Sequence, residues 1–299
     1  MRWLFCALVT ISVFNGVSAS AFTNSICDGT TDLKAGDWLV LDIDGTLVTE
    51  PQMFGRDQWY HQRLESLIAN DRLTPEQALV KLRPAYFAVK EISRLQLIEP
   101  CLLDTLDQLR ERGVYVFALT GRSPRIADPT LKMLAHLGIQ FSLPPEMQTF
   151  LQNFAWPQSP RQAGFKDNVI FADGADKGLI IDSILQQMRP SMSRYLPGQI
   201  RMYDDTDRSI AQYNRVIPAL GIVATAIPFR PASIRTGQFQ MAVAEVQMQN
   251  FVAHGMKGPI MTDAQAVQQL LSHQDCGVLL LSRAPYELTP QASKATNPN

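Results

Sequence analysis

The chain has 299 residues, of which 46% are hydrophobic, 18% charged and 8% aromatic, and it carries a net charge of −1 at neutral pH. That composition lies in ordinary globular territory and can bury a full core, as one α/β domain or one domain carrying an insertion. The near-neutral balance leaves no footprint for nucleic acid or for a charged membrane surface.

The first residues depart from this pattern. Met1-Arg2 precedes an apolar run from Trp3 to Val17 and then the small residues Ser18-Ala19-Ser20-Ala21, which is the layout of a secretory signal peptide with cleavage after Ala19 or Ala21. The apolar part is shorter than the ~20 residues of a membrane span, so stable membrane insertion is not expected, although an uncleaved anchor is the alternative. The expected organisation is a signal peptide over 1–21, one α/β domain over 22–284 with an inserted module at about 49–97, and a disordered tail over 285–299. An exported protein, periplasmic or secreted, meets conditions that permit disulfides. Three cysteines remain in the mature chain, Cys27, Cys101 and Cys276. A Cys27–Cys276 staple of the two termini is one pairing, with Cys101 buried at the start of a helix, but sequence does not settle connectivity. The histidines are scattered and no Cys-x-x-Cys occurs, which disfavours zinc.

In chain order, Trp38-Leu39-Val40-Leu41 reads as a strand buried on both faces that stops at Asp42. The stretch 49–97 is mostly helical. Leu102, Leu103, Leu106 and Leu109 recur at helical spacing after Pro100, and Gly113 closes that helix. Val114 to Leu119 reads as the second strand, followed by a helix from about Pro129 to Leu137 before Gly138. Leu143 to Gln162, with four prolines, reads as an irregular loop. Asn168 to Ala172 is strand-like, Lys177 to Met188 helical, and Ile200 to Tyr203 a strand leading into Asp204. Leu220 to Ile227 is a further strand and Val278 to Leu281 a possible edge strand. The alternation predicts a parallel sheet with crossover helices, whose ligand crevice lies at the carboxyl ends of the strands.

Chemistry-bearing residues fall at those ends. Asp42-Ile43-Asp44-Gly45-Thr46 sets two carboxylates at the end of an apolar strand, where the Gly45 turn lets them converge. One carboxylate can attack phosphorus while the other moves protons, provided a cation offsets the repulsion between anions. The bland reading is a turn whose Asp and Thr cap local backbone. Thr120-Gly121-Arg122 offers a hydroxyl and two N–H groups to a phosphoryl oxygen, although Thr-Gly is also a common strand-to-loop junction. Lys177 opens a helix, where the dipole disfavours a cation, so an anionic partner is expected. Asp204-Asp205 places further oxygen ligands at a strand end; with no histidine nearby, that favours Mg²⁺.

In this order and placement, the four segments resemble the motifs of the haloacid dehalogenase-like (HAD) superfamily over roughly Trp38 to Ile227. The resemblance implies a Rossmann-like sheet with a helical cap, and a Mg²⁺-dependent phosphatase acting through an aspartyl-phosphate. Asp42 would be nucleophile and metal ligand. Asp44 would be the general acid/base and bind metal through its backbone carbonyl. Thr120 would hold the phosphoryl group, Lys177 would stabilise charge, and Asp204, assisted by Asp205, would complete the metal site. An acid at position 44 sets the chain apart from the dehalogenases. More narrowly, the leader, the Thr-Gly-Arg-Ser-Pro run and Gly55 to Tyr60 are similar to an uncharacterised family of exported bacterial HAD-like proteins. The exported class B and C acid phosphatases differ, carrying Asp where this chain has Gly45.

Two functions follow as expectations: a phosphomonoesterase acting on a small phosphate ester or a phosphoprotein, or a catalytically weak or inactive binding or effector module on the same fold. Gly121, Arg122 and Trp59 are candidates for substrate contact. Tyr60 and His61 also fall in the inserted stretch, and Arg56 is a second candidate for an anionic group of the substrate. Core packing is the competing role for the aromatic residues, and a solvated surface for the arginines.

Overall fold

A computed structural model describes residues 25–156, 162–231 and 239–274. The leader, the stretch 278–281, Cys276 and the tail over 285–299 lie outside the described residues. Five parallel-running strands and one antiparallel edge strand form a six-stranded sheet. They are β1 (Trp38–Leu41), β4 (Tyr115–Thr120), β5 (Gly164–Lys166), β6 (Val169–Phe171), β7 (Gln199–Asp204) and β8 (Val223–Pro228), ordered β5-β6-β4-β1-β7-β8. The central strand β1 is buried throughout because it pairs with β4 on one side and β7 on the other. Its side chains alternate: Leu39 and Leu41 enter one face core, Trp38 and Val40 the other.

Helices cover both faces. Residues of α3 (Leu102–Glu111) and α4 (Ala127–His136) complete the first core. Those of α5 (Pro145–Gln152), α6 (Lys177–Met188) and α7 (Asp207–Val216) complete the second. The expected irregular loop over 143–162 therefore contains a helix. Pro145 is its first residue, where the missing N–H costs nothing, so the proline pair starts a helix instead of preventing one.

A third apolar cluster stands apart from the sheet. The segment between β1 and α3 begins with β2 (Val48–Thr49), continues as α1 (Asp57–Ala69) and α2 (Pro75–Ile92), and returns through β3 (Gln96–Leu97), which pairs antiparallel with β2. Helix α2 starts on a capping box, with Thr74 accepting from the Gln77 N–H and Gln77 reaching back to the Thr74 N–H. The inserted helices do not bury their apolar faces alone. Trp59, Leu67, Leu82 and Val89 pack with Val243, Met248 and Phe251 of α8 (Met241–Ala253) and Ala266 of α9 (Asp263–Gln274). Buried Gln247 of α8 accepts from the Phe54 N–H at 2.8 Å and donates to Asp263 at 2.8 Å, joining chain segments almost two hundred residues apart.

The disulfide joins Cys27 to Cys101, across a sequence separation of 74. This corrects the Cys27–Cys276 pairing. It also corrects the placement of Cys101, which is exposed at the turn before α3. The bridge ties the amino-terminal segment to the point where the chain re-enters the sheet body.

Candidate active site

The register of the sheet assembles the site. Leu41 pairs with Tyr203, so the next residues, Asp42 and Asp204, leave their strands side by side, and the Asp42 N–H donates to the Tyr203 carbonyl at 3.0 Å. Thr120 ends β4 on the other flank of β1 and is buried. Lys177 begins α6, whose N-cap Asp176 accepts from the Leu179 N–H. A side chain on Gly178 would meet the Gln212 carbonyl of α7 at 2.2 Å, so glycine permits the close approach of α6 and α7 just after Lys177.

The Lys177 ammonium lies 2.6 Å from Asp42 Oδ1 and 2.6 Å from Asp204 Oδ2, with all three side chains buried. Burial opposes its charge, but Asp204 and Asp42 together hold Lys177 well above its ordinary pKa. Carboxylate oxygens of Asp42, Asp204 and Asp205 gather within 4.8 Å of one another. Burial, with Lys177 opposing and Asp204 and Asp44 adding repulsion, raises Asp42 to about 8. Burial and the neighbouring charges of Asp42, Asp57 and Asp204 raise Asp205 to about 9. Asp205 Oδ1 is buried with no hydrogen-bond partner among the described residues. An all-oxygen set with mutual repulsion and an orphaned carboxylate oxygen fits a hard divalent cation, and Asp42, Asp204 and Asp205 are the side chains that would hold it.

Gly45 completes this arrangement. It has φ +74°, and a Cβ there would stand 2.2 Å from Asp205 Oδ2. Any side chain at position 45 would therefore collide with an acid of the cluster, besides straining the backbone.

Asp44 turns away from the acidic cluster into a second buried network. Arg122 grips it with two bonds, Nε to Oδ2 at 2.7 Å and Nη2 to Oδ1 at 2.8 Å, and Lys90 of α2 donates to Oδ1 at 2.8 Å. Lys90 also pairs with Glu50, and Asp57 Oδ1 lies 3.8 Å away. Burial alone would raise Asp44, but the Arg122 guanidinium and Lys90 ammonium outweigh it and hold the carboxyl well below the usual range.

The candidates thus divide. Asp42, Asp204, Asp205 and Lys177 meet in one cluster, with Thr120, Gly121 and Asp44 on the adjoining strand ends and turns. Arg122 is buried and bonded inside the protein: Nη1 also donates to Thr130 and its backbone N–H to Thr120 Oγ1. These partners, and not a second anionic group of a substrate, are what the guanidinium meets in the structure. Trp59, also expected at the substrate, is buried in the helical cluster, edge-on to Phe54 at 4.7 Å between ring centres. The Arg56 side chain binds the carbonyls of Glu50, Pro51 and Gln52. His61 is exposed, and Tyr60 packs against Tyr86. Sequence reasoning missed Lys90 and Glu50. The available signal was a lysine beside the buried stripe Ala78, Leu82, Ala85 and Val89 of α2.

A family profile described as "Protein of unknown function (DUF2608)" matches residues 15–256. The chain belongs to the DUF2608 family. Two chlamydial proteins, both provisionally named for the outer membrane, are similar to this DUF2608 chain. The Chlamydia pneumoniae protein is 24% identical over 251 residues, covering 82% of this chain and 90% of its own length. The Chlamydia trachomatis protein is 23% identical over 202 residues, covering 66% and 72%. Among solved structures, a provisionally named β-phosphoglucomutase from Thermotoga maritima aligns with a TM-score of 0.32 at 11% identity. The alignment covers 67% of the DUF2608 chain and 99% of that one, a likeness too slight to bear on fold or activity. Among the described residues, no helix is long and apolar enough to cross a membrane.

Proposed function

We propose that the protein is an exported phosphohydrolase of the HAD type that uses Mg²⁺ and hydrolyses a phosphomonoester through an aspartyl-phosphate on Asp42. The observation that carries this reading is the meeting of Asp42, Asp204 and Asp205 around Lys177 at the carboxyl ends of adjacent parallel strands. The leader pattern and the provisional names of the chlamydial relatives support export. Asp42, Asp204 and Asp205, with the Asp44 carbonyl, would hold the cation, which offsets phosphate charge against the acids. On this reading the helices α1 and α2 would serve as the cap over the crevice.

In the first step, an Asp42 oxygen bonds to phosphorus as the ester oxygen leaves with the bonding pair and takes a proton from Asp44. In the second, water bonds to phosphorus, gives its proton to Asp44, and the Asp42–phosphorus bond breaks to release inorganic phosphate. Thr120 and the Gly121 N–H hold phosphoryl oxygens, and Lys177 steadies charge on Asp42 and the phosphoryl group. The two cations on Asp44 favour its ionised form, which suits the water-activating step, whereas the first step requires it to arrive protonated.

The grip of Arg122 and Lys90 on Asp44 favours a second reading, a slow or inactive binding module. Phosphate release from a panel of esters by the mature protein, with Mg²⁺ or with EDTA, separates the two. Mg²⁺-dependent release that disappears in Asp42→Asn is expected. Undiminished release by Asp42→Asn would remove the covalent mechanism, and no release from any ester would leave the binding module.

A further inference from the structure

We infer that Lys90 is a positioning residue of the sheet-end site: the inserted helix α2 extends its ammonium to Asp44 Oδ1 and, with Arg122, fixes that carboxylate. The inference rests on the reading of Asp44 as part of a phosphoryl-transfer site. Lys90 is only 1% exposed, and an ammonium taken out of water costs several kcal/mol unless it is well paired. A leucine at this point of α2 would fill helical core at no such cost, so packing alone does not account for a lysine. Its partners come from three separate places: Asp44 from the loop after β1, Glu50 from the segment after β2, and Asp57 from the first turn of α1. Tyr86, one turn earlier on α2, stands with its ring centre 5.7 Å from the ammonium.

Arg122, just beyond the end of β4, binds both oxygens of the same carboxylate, sharing Oδ1 with Lys90, and its guanidinium is anchored by Thr130 of α4. One carboxylate is therefore held from the sheet body and from the inserted helices at once. The inserted helices contribute a charged group to the site itself. Withdrawing them would leave a buried ammonium with Glu50 and Asp57 but without Asp44, and Asp44 with Arg122 alone. The position of Asp44 thus depends on whether α2 is docked, even though Lys90 need not touch substrate.

Removing Lys90 alone would strand Glu50 in the interior and risk misfolding, so the test pairs Lys90→Met with the charge-balanced double variant Lys90→Met/Glu50→Gln. Circular dichroism melting confirms which variants fold. Two measurements are then made against the wild type: kcat and KM for p-nitrophenyl phosphate with Mg²⁺, and hydrogen exchange of the Asp42–Val48 loop, where the Gly45, Leu47 and Val48 amides are hydrogen-bonded within the turn. In the folded double variant, kcat is expected to fall about 100-fold with KM nearly unchanged, the scale of a small misplacement of a catalytic group. Loop exchange is expected to rise about tenfold while α6 exchanges as before.

A folded double variant with wild-type kcat and wild-type loop exchange overturns the inference and leaves Lys90 as a core residue. A raised KM at unchanged kcat also overturns it, making Lys90 a substrate contact. If the wild type turns over no ester but the variant still loosens the loop, the phosphohydrolase reading fails and the hold of Lys90 on Asp44 stands.

Discussion

The acidic cluster at the sheet end and the helical cluster beside it solve placement in opposite ways. Asp42 and Asp204 are positioned by the strand residues that precede them and by one register, Leu41 opposite Tyr203. Trp59, Gln247 and Ala266 are positioned by helices far apart in the chain, with five of the six strands of the sheet between them in sequence. Where a side chain's place is set by its own strand, it can be read locally. Where it is set by a distant helix, the local sequence shows only an apolar stripe.

Perturbations should separate the two regions, and the largest effect is expected at the sheet end. Asp42→Asn should reduce phosphate release by at least about 10³-fold while leaving the fold intact, as followed by turnover and by circular dichroism. The helical cluster should respond in the opposite manner. Trp59→Ala leaves a void against Phe54 and should cost about 3–5 kcal/mol in denaturant unfolding, without removing any group of the acidic cluster. A cost below about 1 kcal/mol would show that the helices are not packed as a core.

The disulfide, which lies on the sheet side of this division, is expected to matter somewhat less. Cys27→Ser opens the loop closed by Cys101 and should lower stability by about 2–4 kcal/mol, an effect mimicked by reductant in the wild type and absent in the variant. The smallest effect lies at the amino-terminal edge of the sheet. Arg201 hydrogen-bonds Asp32 and lowers its pKa, so the pair's contribution is present above the ordinary carboxylate value of about 4 and is lost as pH falls through the lowered one. Asp32 is largely exposed, so the solvent-screened contribution is at most about 1 kcal/mol. Thermal melts of Asp32→Asn should therefore differ from the wild type at neutral pH and converge with it in acid.

How much was legible follows the same division. The apolar run ending in Asp42, the helix beginning at Lys177 and the strand ending in Asp204 stand as read, because each is a local pattern of burial followed by a polar residue. The Pro144-Pro145 pair was misread because proline breaks a helix interior yet suits its first turn. Disulfide connectivity was beyond reach, since three cysteines allow several pairings and only the fold brings Cys27 to Cys101. Helix α8 presents apolar residues around much of its circumference, so it showed no amphipathic stripe to suggest what it covers. The partners of Lys90 on Asp44 and Glu50 lie 46 and 40 residues away, and no spacing rule links them.

The division of the helical cluster between the two ends of the chain also sets an order of assembly. A chain that emerges or is translocated amino-terminus first presents Phe54 and Trp59 long before Gln247 and Asp263 arrive to bind the Met53 and Phe54 amides. The sheet is complete once β8 is in place, whereas the helical cluster must wait for the two helices that follow it. Closing so long a loop is costly until its contacts form. Were the chain exported as proposed, that delay would keep the apolar faces of the inserted helices uncovered until the segments carrying Gln247 and Asp263 had followed.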